Sequence, residues 1–220
     1  MVNINDVQAL PATSLLSPQE SVLVLIDYQP QMFFGTTNAD RGEIINSALG
    51  LGKAAKIFNV PVILTSVAAK TFSGPMLRPL LDVFPGDEVI DRTTMNAWED
   101  PRVVDAVKAT GRSRIVMAGL WTEVCISTAA LSATDQGYQV YVPTDACGGV
   151  SAAAHANAIR RMTQHGVVPS TWLTTMLEWQ RDWARAETYE GVMDVVMAHA
   201  GAYGQGVAYA HSMISEAAVG

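Results

Sequence analysis

The chain has 220 residues, of which 49% are apolar and 16% are charged, with a formal net charge of −7 at neutral pH. This length suffices for one full core, so we expect a single domain over residues 1–220, and the acidic balance argues against nucleic acid as a partner. The longest apolar stretches are far shorter than the roughly 20 residues of a membrane helix, so no membrane partner is expected.

Four short runs of β-branched and aliphatic residues predict strands that are buried on both faces, as in a parallel sheet. These runs are 21–27, 61–66, 113–119 and 139–144. Segments with helical spacing lie between and after them, and the predicted helices cover 43–58, 101–110, 126–135 and 152–165. A weaker run at 167–171 contains Pro169 and predicts an edge strand. The alternation predicts a doubly wound, three-layer α/β/α fold around a mostly parallel sheet.

The C-terminal part of the chain has a different pattern. Residues 174–199 have apolar side chains at helical spacing, whereas the last twenty residues, rich in alanine and glycine, show little pattern. We expect a core over about 15–185 and a C-terminal helical extension over 186–220. An apolar helix outside the alternating units needs a surface to cover, so we expect the extension at an interface within a homo-oligomer.

The N-terminus has no basic region that would begin a secretory signal, and Asn3 and Asp6 stand at the positions where one is expected. We therefore expect a cytoplasmic protein. In a reducing compartment the two cysteines, Cys125 and Cys147, are expected to be free thiols.

Three residues with catalytic potential follow predicted strands. Asp27 ends the first strand, Arg92 follows a short apolar run at 89–90, and Cys125 lies just past Gly119, where a strand gives way to a helix. In open α/β sheets, ligands bind at the carboxyl ends of the strands. We therefore expect these three side chains to meet at one edge of the sheet.

A thiol at a helix start is expected to have a lowered pKa, since the helix dipole and the free N–H groups of the first turn stabilise the thiolate. The same N–H groups can stabilise an oxyanion on a substrate. Cys125 is then the expected nucleophile, Asp27 the general base and Arg92 their electrostatic partner. Each residue also has a structural interpretation, as a buried thiol, a helix cap or a surface cation. Cys147, with no cation or base near it in sequence, is interpreted as structural.

Two motifs, Asp27-Tyr-Gln29 and Gly119-Leu-Trp-Thr-Glu-Val-Cys125, resemble those of the isochorismatase-like cysteine hydrolases. Further segments are similar to the YcaC-like branch of that superfamily, and the resemblance covers about residues 15–185. These segments are 58–65, 96–98, 107–112, 130–133, 161–166 and 177–183.

The resemblance implies a three-layer fold with an Asp, Lys and Cys triad, and an acyl group carried as a thioester on Cys125 until water releases it. It also implies a cis peptide bond between Leu120 and Trp121, with the backbone N–H groups of Trp121 and Cys125 as the oxyanion hole. The large rings of the family imply a tetramer or an octamer.

The sequence departs from the family at the position of the triad lysine. By its spacing from Cys125, Arg92 stands where most members have that lysine. An arginine can fix charge and geometry, but it cannot shuttle protons at working pH. Lys70, in the loop after the second strand, is the alternative partner.

No metal and no other cofactor is expected. Zinc-binding members of the superfamily carry an Asp-x-His-x-x-His cluster, whereas His155, His165, His199 and His211 are dispersed in this chain. Core packing is one interpretation of the tryptophans. The other is a pocket for a compact, apolar or planar small molecule, and the residues expected to line it are Gln29, Phe33, Trp98, Trp121 and Thr122.

The sequence therefore predicts a metal-independent hydrolase of a small amide, carbamoyl compound or ester. Two alternatives on the same fold remain open. One is a non-hydrolytic or redox-responsive thiol protein, and the other is an ether hydrolase of the isochorismate type, which does not need the thiol.

Overall fold

The computed structural model describes residues 10–217. Six parallel strands form one sheet in the order β3-β2-β1-β4-β5-β6. The strands are β1 (Ser21–Ile26), β2 (Val62–Val67), β3 (Val89–Arg92), β4 (Arg114–Gly119), β5 (Gln139–Pro143) and β6 (Val168–Ser170).

Helices cover both faces of the sheet. They are α1 (Pro30–Phe34), α2 (Arg41–Ile57), α3 (Arg78–Val83), α4 (Pro101–Ala109), α5 (Ser127–Asp135), α6 (Ala152–Gln164), α7 (Trp172–Gln180), α8 (Ala186–His199) and α9 (Gly201–Ala217). On one face α2 packs against α3, α7 and α8, and on the other α5 packs against α6. The predicted three-layer α/β fold is confirmed, and within residues 10–217 no helix is long and apolar enough to cross a membrane.

The central strands are largely apolar because both of their faces are covered. Every residue of β1 is buried, and its neighbours are β2 and β4. The predicted first strand is one residue too long, since β1 ends at Ile26. Asp27 has φ +57°, a left-handed conformation that Asp tolerates better than most residues. The chain therefore turns out of the sheet at the carboxylate.

The predicted C-terminal helical extension is confirmed, although its helices differ in detail from the sequence pattern. The helix predicted over 174–199 is interrupted between α7 and α8, where Arg181 has φ +59° and the Gln180 amide donates to the carbonyl groups of Asp182 and Arg185. The last residues, which show little pattern in the sequence, form α9 as far as residue 217, and 218–220 lie outside the described chain. In α9, Gly204 packs so closely on α8 that a Cβ would lie 2.3 Å from the Val196 carbonyl oxygen.

The first helix of the extension packs one of its faces against the chain itself. In α8, Val192, Val195 and Val196 are buried against the chain's own α2. In the described part of the extension, α9 presents most of the exposed large apolar side chains, among them Tyr209, Met213 and Ile214.

The sheet has one topological switch point, between β1 and β4. From β1 the connections proceed outward to β2 and β3, and from β4 they proceed the other way to β5 and β6. A crevice forms outside the carboxyl ends of two such strands, and ligands of open α/β sheets bind there. Asp27 follows β1 and Cys125 follows β4, so the two expected catalytic groups flank this point.

Candidate active site

The centre of the site is a buried ion pair. Arg92 Nη2 donates to Asp27 Oδ2 at 2.8 Å, and both side chains have no exposed surface. The second guanidinium nitrogen, Nη1, donates to the carbonyl oxygen of Thr94 at 2.5 Å. Asp27 Oδ1 and Arg92 Nε have no hydrogen-bond partner among residues 10–217. The pair therefore keeps one acceptor and one donor unused.

Arg92 must reach over a strand to contact Asp27. It ends β3, and β2 lies between β3 and β1. Neighbouring strands are about 4.8 Å apart, so the side chain must cross a gap of roughly 10 Å between strand axes. Only a long cationic side chain can do this. Lys70, by contrast, is exposed on a π-helical turn at Ala69–Ser73, and the structure pairs Asp27 with Arg92.

The Cys125 thiol lies against the same carboxylate. Cys125 is on a π-helical turn, Thr122–Ile126, that precedes α5, and only 1% of the residue is exposed. Its thiol lies close enough to Asp27 for the carboxylate to act on it electrostatically, and the backbone N–H of Trp121 is also near the sulfur. The peptide bond between Leu120 and Trp121 is cis. Asp27, Arg92 and Cys125 thus form one buried cluster.

The expected low pKa of the Cys125 thiol is wrong for this resting site. Burial raises its pKa to about 12, the charge of Asp27 and the hydrogen bond to that carboxylate add to the effect, and Arg92 opposes it. The sequence argument considered only the helix start, whereas loss of hydration dominates in this interior. The resting thiol is therefore protonated.

The pKa of the Asp27 carboxyl is shifted toward neutral pH. Burial raises its pKa to about 6, although Arg92 and the Cys125 thiol favour the charged form. At neutral pH the carboxyl is mostly ionised and can accept a proton, and once protonated it is a competent acid. This is the property that a general acid and base needs near neutral pH.

Two glycines allow the nucleophile turn to lie close to its neighbours, and the sequence analysis did not single them out as part of the site. Gly119 has φ +154°, and a Cβ there would lie 2.0 Å from the Ile26 carbonyl oxygen. At Gly148 a Cβ would meet Leu120 Cδ2 at 2.6 Å, while its backbone accepts from Thr122 N–H at 2.8 Å. The signal available in the sequence for Gly148 was the glycine pair at 148–149, which directly follows Cys147 in the loop after β5.

Two of the expected pocket residues have other roles. The Gln29 side chain is buried and bonds to the backbone of Val67 and Gly74, so it positions the segment after β2. Trp98 packs edge-on against Tyr138 at 5.4 Å. Tyr138 immediately precedes β5, so it lies at the amino ends of the strands, whereas Cys125 lies at their carboxyl ends. This contact favours the core-packing interpretation for Trp98, although its buried indole nitrogen has no hydrogen-bond partner among the described residues.

The other expected pocket residues lie near the nucleophile turn. Trp121 is partly exposed, and its indole N–H donates to the Met32 carbonyl oxygen at 2.7 Å, so it lies against α1. Phe33 is on that helix and is half-buried. Thr122 is buried, with its hydroxyl 2.8 Å from His155 Nδ1. These contacts hold the Trp121 indole against α1, next to the nucleophile turn.

The second cysteine has a different environment. Cys147 is fully buried after β5, and its thiol donates to the Pro143 carbonyl oxygen at 3.3 Å. Burial raises its pKa to about 12. Over the described part of the chain, no three His, Cys, Asp or Glu residues are grouped closely enough to hold a metal ion.

Known proteins resemble the chain in both sequence and fold. The isochorismatase domain family matches residues 21–173. A probable hydrolase, YcaC of Escherichia coli K12, is 36% identical over 169 residues, which are 76% of this chain and 81% of that protein. Isochorismatase domain-containing protein 2 of Xenopus laevis is 30% identical over 83% of this chain and 86% of its own length.

Two solved structures superpose closely. The crystal structure of E. coli YcaC, described as an octameric hydrolase of unknown specificity, has a TM-score of 0.87 at 32% identity and covers 93% of this chain and 100% of its own. YcaC of Pseudomonas aeruginosa, described with hexane-2,5-diol and covalent acrylamide, has a TM-score of 0.86 at 30% identity. That match covers 91% of this chain and 98% of the other.

Proposed function

The chain belongs to the isochorismatase family and is a hydrolase of that family, and we propose that it is a metal-independent cysteine hydrolase. Its proposed substrates are small amides, carbamoyl compounds or related esters. The observation that carries the proposal is the single carboxylate of Asp27, which contacts both the Arg92 guanidinium and the Cys125 thiol in a buried cluster. A nucleophile, a base and a cation are the parts that acyl transfer through a thiol needs.

The proposed first half-reaction begins from the neutral thiol. Asp27 takes the Cys125 proton as the sulfur attacks the substrate carbonyl carbon, which gives a tetrahedral intermediate with negative charge on oxygen. The Trp121 N–H, which lies near the sulfur, and the Cys125 N–H are the proposed donors to that oxygen. The carbon–nitrogen or carbon–oxygen bond then breaks, and protonated Asp27 gives its proton to the leaving amine or alcohol.

The proposed second half-reaction restores the enzyme. Asp27, again ionised, takes a proton from water as the water oxygen attacks the thioester carbon on Cys125. The carbon–sulfur bond breaks, the acid leaves, and the sulfur recovers the proton from Asp27. Arg92 keeps its charge throughout, since a guanidinium does not give up its proton at working pH. Asp27 is the one group of the cluster that carries the proton in both halves.

One relative is consistent with a reactive nucleophile at such a site. The P. aeruginosa relative is described with covalent acrylamide, a small primary amide whose alkene is an electrophile for thiols. The partly exposed Trp121 beside α1 favours a compact or planar acyl group at this site.

We also propose a homo-oligomer, a tetramer or an octamer. The outward apolar side chains of α9 need cover, and the E. coli relative is described as octameric. Light scattering of the purified protein tests this, and a monomer mass would contradict it.

The test of the hydrolase proposal is capture of the acyl-enzyme. The protein is mixed with p-nitrophenyl acetate, quenched in acid and examined by intact-mass and peptide mass spectrometry. We expect one acetyl group on Cys125 in the wild type and in Cys147→Ala, and none in Cys125→Ala. A thiol protein without hydrolase activity would form no adduct, while an ether hydrolase of the isochorismate type would lose far more activity in Asp27→Asn than in Cys125→Ala.

A further inference from the structure

A histidine outside the catalytic cluster contacts the turn that carries the nucleophile. His155 lies on the first turn of α6, and its Nδ1 shares a hydrogen bond of 2.8 Å with the hydroxyl of Thr122. Thr122 begins the π-helical turn of Cys125 and immediately follows Trp121. One hydrogen bond therefore links α6 to the residue next to the proposed oxyanion donor.

The same turn is tied to the loop before α6 at two further points. Thr122 N–H donates to the Gly148 carbonyl oxygen at 2.8 Å, and Val150 N–H donates to Glu123 Oε1 at 2.8 Å. Both contacts involve the backbone of the 148–150 loop. Of the three ties, only the one from His155 is made by a side chain to a side chain.

The surroundings keep the His155 ring neutral. Burial lowers the pKa of the half-buried imidazole, and the nearby Glu123 opposes this shift. A neutral ring can accept at one nitrogen, so the Thr122 hydroxyl has a suitable partner at neutral pH. The space is also tight, since a Cβ at Gly149 would lie 2.6 Å from Glu123 Oε2 and 3.1 Å from His155 Cβ. The ring, the carboxylate and the loop therefore fit only in a narrow range of positions.

We propose that His155 is a positioning residue for hydrolysis: through Thr122 it fixes the nucleophile turn, so that the Trp121 N–H stays directed at the position of the developing oxyanion. The proposal rests on the proposed function, because an oxyanion forms only if Cys125 attacks a carbonyl group. His155 contacts neither the sulfur nor the Asp27 carboxylate in this arrangement, and it acts through Thr122. A displacement of about 1 Å at an oxyanion donor can lower a rate about 100-fold, so one tie to this turn has a measurable effect.

The test uses variants at both ends of the hydrogen bond. His155→Ala and Thr122→Val each remove it, His155→Asn keeps a polar group near the Nδ1 position, and Thr122→Ser keeps the hydroxyl. The matched control is His165→Ala, since His165 lies at the other end of α6, where it is exposed and pairs with Asp135 at 2.8 Å. Each variant is measured for kcat and KM with p-nitrophenyl acetate and for hydrogen exchange of the peptide 119–127.

We expect kcat to fall about 10- to 100-fold in His155→Ala and Thr122→Val, with KM changed less than about threefold and faster exchange in 119–127. The double variant should lose no more than either single variant, and Asn and Ser should recover most of kcat. His165→Ala should match the wild type. If His155→Ala keeps wild-type kcat, or if the two losses multiply in the double variant, His155 does not act through Thr122 and the proposal is overturned.

The two proposals fail in different ways. Undiminished turnover in Cys125→Ala would overturn the proposed function, whatever His155→Ala does. Loss of turnover in Cys125→Ala together with full kcat in His155→Ala would overturn only the role of His155. If His155→Ala does not fold, Thr122→Val against Thr122→Ser gives the same comparison from the other end of the bond.

Discussion

The two cysteines of this chain occupy neighbouring and superficially similar places. Cys125 follows β4 and Cys147 follows β5, both at the carboxyl edge of the sheet, and both are at most 1% exposed. Burial raises the pKa of each thiol to about 12. Neither burial nor pKa therefore separates a catalytic thiol from a structural one in this protein.

The difference lies in what each thiol contacts. Cys125 lies beside the Asp27 carboxylate, which is paired with Arg92, whereas Cys147 donates to a backbone carbonyl oxygen. A carboxylate can take the thiol proton as the sulfur attacks, and a peptide carbonyl cannot. In a buried site, a nearby proton acceptor matters more to a thiol than a low resting pKa.

The largest effect is expected from removing the acceptor beside Cys125. In Asp27→Asn the amide can still accept a hydrogen bond but cannot take the thiol proton, so kcat/KM should fall by about 10²- to 10⁴-fold. Steady-state kinetics with p-nitrophenyl acetate measures this loss.

The matched control is the carboxylate nearest to Cys147. Asp145 accepts from the Trp172 N–H at 2.9 Å, and Asp145→Asn retains that acceptor, so its turnover should stay within about twofold of wild type. Equal losses of turnover in Asp27→Asn and Asp145→Asn would show that the carboxylate beside Cys125 has no special role in catalysis.

The next effect concerns pH. Because Asp27 must be ionised to accept the proton and its pKa is raised to about 6, kcat/KM should fall about tenfold for each pH unit below 6. Thiol ionisation is not required first, so the rate should not climb between pH 8 and 10. A continued rise over that range would mean that the free thiolate attacks.

The same shift has an opposite consequence for stability. Folding raises the pKa of Asp27 from 3.8 to about 6, so the folded state holds this proton more tightly than the unfolded state. The contribution of this group to the free energy of unfolding is greatest below pH 4 and is lost as the pH rises to about 6. Denaturant titrations at a series of pH values measure this. Between pH 4 and 6 the free energy of unfolding should fall more steeply with rising pH in the wild type than in Asp27→Asn, while the activity of the wild type rises.

A smaller effect is expected from changing Arg92, the cation that belongs to the Cys125 site and has no counterpart at Cys147. In Arg92→Lys the shorter side chain has one nitrogen, which cannot bond to both Asp27 and the Thr94 carbonyl oxygen as the guanidinium does, so kcat/KM should fall about tenfold. An amine can also lose its proton, so a new alkaline decline should appear in the pH profile of the variant. A profile like that of the wild type would assign Arg92 no more than a packing role.

The sequence predicted five of the six parallel strands, all but β3, and the convergence of Asp27, Arg92 and Cys125. Continuous apolar runs define buried strands, and the carboxyl ends of parallel strands share one edge, so residues that follow the strands meet without further information. The predicted ends of the strands differ from the structure by a residue or so, as at Asp27, because a left-handed residue leaves no periodic signal.

Tertiary packing determined what the sequence could not supply. The helix α9 lies within the predicted helical extension but left little periodic signal, because Gly201, Gly204 and Gly206 are poor helix formers and packing against α8 overrides that preference. The pKa of Cys125 was predicted in the wrong direction because burial depends on the whole fold. Trp98 was expected in the pocket, although the ring it packs against, Tyr138, lies at the amino ends of the strands.

The smallest effect is expected at Cys147, and it completes the contrast. Cys147→Ala removes a sulfur atom from a packed interior, where the thiol is fully buried and bonded to Pro143, so the free energy of unfolding should fall by about 1 kcal/mol. Turnover should equal that of the wild type, because no proton acceptor of the proposed reaction contacts this thiol. Urea denaturation and p-nitrophenyl acetate kinetics on one preparation measure both quantities. A variant that lost turnover while keeping its stability would make Cys147 part of the reaction, and a contact with a carboxylate would then no longer identify the catalytic thiol.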